Sequence, residues 1–109
     1  MSTKQSTIDY ILDQLSSLGH ASAKKMFGEY ALYYNDKVVG LVCNDTLFIK
    51  ITDKGKSYVW KYYQEWNAYK WAKPSMLIEW DKIEDHEWLC ELVQITADNL
   101  PEKKLKKIA

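Results

Sequence analysis

The chain has 109 residues, 47% hydrophobic and 28% charged, with five Trp and eight Tyr, which suits one domain around one bulky core and excludes a disordered chain apart from short flexible ends. Fifteen basic residues balance fifteen acidic ones, and every basic one is lysine. Zero net charge argues against strong nonspecific attraction to nucleic acid, and without arginine the side chain that forks onto phosphate and guanine edges is missing.

The opening MSTKQSTID has no apolar core, and no run approaches the ~18 apolar residues of a membrane span. We therefore expect a cytoplasmic protein. From Ser6, the pattern STIDYILDQLSSLG sets Ile8, Ile11, Leu12, Leu15 and Leu18 on one helical stripe, with Ser6 or Thr7 as cap and Gly19 as terminator.

Between Lys24 and Lys50 lie three strand-like runs punctuated by Asn35-Asp36 and Asn44-Asp45, pairs that adopt the left-handed conformations of two-residue hairpin loops. A three-stranded antiparallel meander follows, with Leu32 opposite Val39, Tyr30 opposite Leu41, Val42 opposite Leu47 and Gly40 opposite Ile49. That register puts Ala31 and Gly40, with Tyr33, Val38, Val42, Leu47 and Ile49, on a face that a helix covers. It puts Leu32, Val39, Leu41 and Phe48, framed by Lys37, Thr46 and Lys50, on the other face, which must be shielded or must associate.

The run KSYVWKYYQEW spaces Tyr58, Val59, Tyr62, Tyr63 and Trp66 for a second helix, weakened at its beginning by Gly55. Residues 67–72 and 76–80 read as a β-hairpin that extends the sheet or partly shields it. A third helix over 84–99 brings Trp88, Leu89, Leu92, Thr96 and Leu100 round one side, with Asp81 or Asp85 near its start and Pro101 beyond its end. The basic tail EKKLKKIA is expected to be solvated or frayed.

This order, together with KKMFGEYALYYND and DTLFIK, resembles the TfoX N-terminal domain family over nearly the whole chain. The most specific elements are Met26-Phe27-Gly28 and the strand from Leu47 to Lys50. The resemblance implies an α+β fold of helix, meander, helix, hairpin and helix, similar to the secretion-chaperone-like class. The founding members are competence regulators that act with the cyclic-AMP receptor protein and carry a second, C-terminal domain. The resemblance implies the fold more strongly than that role.

The residues themselves show little catalytic chemistry. His20 and His86 have no evident partner, His86 and Cys90 share a helical face but make too few ligands for a metal, and the four glycines never cluster as a phosphate cradle would. Cys43 and Cys90 read as buried free thiols rather than a disulfide or metal pair. Gly28 reads as a bulge or close packing rather than a ligand approach. No cofactor is expected.

The Trp and Tyr crowd from Tyr58 to Trp88, interleaved with Lys56, Lys61, Lys70, Lys73 and Lys82, reads as inward packing behind a solvated lysine face rather than a stacking platform for single strands. The leading expectation is a non-enzymatic regulatory or adaptor domain. Its surface would be Leu32, Val39, Leu41 and Phe48, its partner a protein or a second copy of the chain, and it would bind no specific DNA alone. The rivals are a nucleic-acid-binding module built on Lys24-Lys25, the aromatics and the tail, and an uncharacterised enzyme.

Overall fold

Both Asn-Asp pairs form the turns that their chemistry favours. Asn35, Asp36, Asn44 and Asp45 all have φ between 52° and 66°, the mirror-image turn whose twist matches that of the flanking strands. The computed structural model describes residues 3–26, 29–68 and 73–100. The turns join β2 (Glu29–Tyr34), β3 (Lys37–Cys43) and β4 (Thr46–Ile49) into the expected antiparallel meander, which is the middle of a larger sheet. On one side β1 (Ala21–Met26) pairs with β2; on the other, β6 (Pro74–Ile78) pairs with β4 and carries β5 (Glu65–Asn67) at the edge. The six-stranded order is β1-β2-β3-β4-β6-β5, antiparallel throughout.

The second hairpin has the expected register, Val42 opposite Leu47 and Gly40 opposite Ile49. The first does not. Tyr34 pairs with Lys37 and Tyr33 with Val38, but the register then slips, so that Leu32 faces Gly40 rather than Val39, and Tyr30 faces Val42 rather than Leu41. A β-bulge at Val39-Gly40 sets two residues against Leu32, and an extra residue reverses the side-chain alternation beyond it. The expected faces are therefore exchanged across the bulge. Tyr30, Leu32, Tyr34 and Val39 join Val42, Leu47 and Ile49 in a single core cluster. By alternation Ala31, Tyr33, Val38, Leu41, Cys43 and Phe48 look the other way.

The helices all close the same side. α1 (Gln5–Gln14) and a 3-10 turn ending at Gly19, whose φ is 84°, supply Ile8, Ile11 and Leu15. α2 (Asp53–Val59) supplies Val59, α3 (Trp80–Ile83) supplies Ile83, and α4 (His86–Asn99) supplies Leu89, Leu92, Val93 and Ala97. Lys37 ties the sheet to the end of α4, its ammonium donating to the Ala97 carbonyl at 2.8 Å and the Leu100 carbonyl at 3.4 Å. A cation there complements the negative end of the helix.

The caps are partly as read. Asp85 accepts from Trp88 N at 3.2 Å and opens α4. Thr52 accepts from Gly55 N at 2.9 Å and opens α2, where buried Gly55 lies close to Met76 and Thr96. Neither Ser6 nor Thr7 caps α1, which begins at Gln5 after an uncapped Lys4. The carboxylate of Asp45 reaches over from the β3–β4 turn instead, accepting from Lys4 N at 2.9 Å and Thr7 Oγ1 at 2.8 Å.

The second helix is shorter than its aromatic spacing implies. It stops at Val59 because Trp60 turns to φ 55°, and a 3-10 turn at Trp60–Tyr62 leads to β5. Strand β5 ends at Asn67, where the first hairpin strand was expected to begin, and β6 lies two residues earlier than expected, so Trp66 is in β5 and Trp80 begins α3. The inward packing expected of the aromatics is corrected as well. Trp60, Tyr62, Trp66 and Trp80 are exposed at 71, 45, 57 and 41%, while Tyr58 and Trp88 do pack, with ring centroids 5.5 Å apart and the Tyr58 hydroxyl donating to the Trp88 carbonyl at 3.1 Å. Phe27 and Gly28, residues 69–72 of the expected hairpin, Pro101 and the basic tail lie outside the described residues.

Candidate functional site

The bulge decides which residues the chain can present. Of the four expected contact residues, Leu32 and Val39 are 1% and 0% exposed on the helix-covered side, where no partner can reach them. Leu41 and Phe48 oppose each other across β3 and β4 on the other side. The four do not form one patch. Phe48 is itself 6% exposed, so the accessible member is half-buried Leu41.

Around Leu41 the structure gathers residues that sequence reasoning did not assign to a surface. Half-buried Tyr33, Val38 and Leu77 share its face, as do exposed Met26 and Trp66. Lys24 lies over the Tyr33 ring, 5.3 Å from its centroid. Beside Leu41 is a groove of about 480 Å³ with aliphatic walls from Val38, Ile51, Pro74 and Leu100, and with the exposed lysines Lys50 and Lys73 along it. The signal for this face was Gly40, because an isolated glycine inside a strand pattern marks a bulge. Of the family-motif residues, Met26 ends β1, Leu47 is core at 1% exposure and Lys50 borders the groove.

A second concavity, about 270 Å³, lies where the 3-10 turn after α2, the end of β6 and the start of α4 meet. Lys82 sits 3.8 Å from the Tyr62 ring centroid and 5.3 Å from that of Trp88, while Lys61 lies 5.3 Å from Trp60 and 5.7 Å from Tyr62. Glu79 and Asp81 line the same hollow. Two lysines already placed against rings, with two carboxylates lining the same hollow, do not make the electropositive track that a phosphate backbone needs.

Reactive groups are quiet. Burial, and secondarily the Glu29 carboxylate, push the Cys43 thiol up to about 11, so it stays protonated at neutral pH and is a weak nucleophile. The Cys90 sulfur is within 3.3 Å of the Gln14 carbonyl and 3.4 Å of Ser17 Oγ, whereas His86 is exposed. Both cysteines are free and buried, Cys43 facing away from the helices and Cys90 on one of them. Among the described residues no three His, Cys, Asp or Glu side chains gather as a metal site would require. None of the described helices is long and apolar enough to cross a membrane.

A six-stranded antiparallel sheet with helices closing one face and two mirror-image turns describes an α+β domain. The TfoX N-terminal domain matches residues 13–100, and the chain belongs to that family. It is 32% identical over 107 residues to a protein of Spirochaeta aurantia described as an uncharacterized 12.7 kDa protein in the trpE 5' region, covering 98% of this chain and 91% of that one. It is 24% identical over 80 residues to protein Sxy of Escherichia coli (strain K12), covering 73% of this chain and 38% of Sxy.

Proposed function

We propose that this chain is a regulatory or adaptor domain without catalytic activity of its own, working by protein contact through the sheet face around Leu41. The carrying observation is the asymmetry of the sheet. Every α-helix sends buried apolar side chains into one cluster, while Tyr33, Val38, Leu41 and Leu77 stay only half-buried opposite, with Met26 and Trp66 exposed on the same face. An apolar sheet face of this kind is a contact surface. Family membership and the partial match to Sxy support a regulatory setting related to competence, and the 38% coverage of Sxy makes this chain similar to a part of a larger protein.

The test compares the wild-type chain with Leu41→Lys as bait in the native cell, alongside light scattering of both for self-association. A partner or a dimer that the substitution removes, with circular dichroism unchanged, is the expected result. Identical capture and identical mass for both chains overturns the reading. Fluorescence anisotropy with duplex and single-stranded DNA at near-physiological salt should show no sequence preference; saturable submicromolar binding with one would move the function to nucleic acid.

A further inference from the structure

The groove beside Leu41 has a chemistry that selects its occupant. Its described walls are aliphatic apart from Ser75, and Lys50 and Lys73 are its charged side chains among the described residues, with no Asp or Glu in that lining. In a chain whose charges balance fifteen to fifteen, that is a local excess of one sign. Neither ammonium has a hydrogen-bond or ion-pair partner among the described residues, in contrast to Lys37 at the end of α4 or Lys82 against Tyr62. Leu100 is at the same groove, and the nine residues after it in sequence, PEKKLKKIA, carry four lysines and one glutamate. Like charges disfavour that segment as the occupant.

We infer that this groove receives an acidic peptide segment, one or two apolar side chains seated against Leu41, Val38 and Ile51 and carboxylates meeting Lys50 and Lys73. The inference rests on the protein-contact reading above and names the chemistry of its partner. Apolar anchors supply affinity, while rim charges set partner choice and arrival rate. A single-stranded nucleic acid fits the groove less well, because its described lining has no aromatic ring on which a base could stack.

The experiment uses the full chain and three fluorescent peptides of about twelve residues: glutamates with two leucines, the same with serines for leucines, and the same with lysines for glutamates. An oligothymidylate of similar length is the fourth probe. The acidic leucine peptide should bind saturably and weaken as salt is raised, with amide shifts at Val38, Leu41, Ile51 and Leu100, and the other three should bind at least several-fold more weakly. The exposed pair Lys50→Glu and Lys73→Glu should lose about tenfold in affinity for the acidic peptide, the combined effect of two rim charges turned repulsive, and gain affinity for the lysine peptide.

Equal binding of the acidic and serine peptides, shifts centred on Trp60 and Tyr62, tighter binding of the oligothymidylate, or indifference to the double reversal each overturns the assignment. Loss of cellular capture with Leu41→Lys together with indifference to the lysine reversal leaves the contact face standing and removes the acidic partner. Reversal-sensitive peptide binding without any Leu41-dependent capture or dimer does the opposite.

Discussion

Gly40 lies so close to β4 that a Cβ placed on it would stand 2.2 Å from the Phe48 carbonyl oxygen and 3.2 Å from Ile49 Cα. Both are backbone atoms, which cannot turn aside as a side chain can. The glycine is thus required by the neighbouring strand, not by a helix above it. Gly40→Ala should cost about 1–3 kcal/mol through displacement of β4, read as a lower urea midpoint at unchanged slope. An unaltered midpoint would contradict the close approach of β4 to Gly40.

This one position also explains how far the sequence could be read. The Asn-Asp pairs announced both turns because few other side chains tolerate positive φ, and the Ile8, Ile11 and Leu15 spacing announced α1. Gly40 was legible as a small residue, but close approach of a helix and a bulge leave the same mark, and the choice between them exchanges both faces beyond Val39. Strand β1 was hidden by composition. ASAKKM has no β-branched or aromatic residue, and only Ala21 and Ala23 pack on the core, so pairing with β2 rather than propensity makes it a strand. Periodicity carried the second helix past Val59 because nothing in WKYY signals the positive φ at Trp60.

Asp45 links the β3–β4 turn to the start of α1, and its carboxylate is held below its ordinary value of 3.8 by the hydrogen bonds from Lys4 N and Thr7, with the charge of Lys4 a smaller contribution. The folded chain prefers the ionised form more than the unfolded chain does. Its stabilising effect is complete above about pH 4 and fades as pH falls through the lowered folded value. Asp45→Asn keeps a side chain that tolerates φ of 59° but removes the titration. Thermal melts between pH 2 and pH 6 should show a shallower acid loss for the variant; parallel curves would contradict the linkage.

Thr96 is 0% exposed in α4, and its hydroxyl has no hydrogen-bond partner among the described residues. A buried hydroxyl left unmatched costs free energy that a methyl of similar shape does not. Thr96→Val should therefore stabilise the chain by about 1 kcal/mol, seen as a higher denaturation midpoint, and a lower midpoint would show that the hydroxyl is satisfied in the folded chain.

Leu41 and Phe48 face each other across β3 and β4, yet they should answer the same substitution in opposite ways. Phe48 is 6% exposed, so Phe48→Lys puts an ammonium where its own chain excludes water; the expected loss is at least the about 3–5 kcal/mol of a large-to-small change at a buried aromatic. A variant that unfolds says nothing about a partner. Leu41 is half-buried beside an open groove, where a lysine can lay its aliphatic stem along Val38 and Ile51 and keep its charge in water. Leu41→Lys should cost only about 1 kcal/mol while removing the anchor against which a partner packs. Circular dichroism and urea melts separate the two effects from binding. A cooperative, near-native melt for Phe48→Lys, or a collapse for Leu41→Lys, would reverse which residue is core and which is surface.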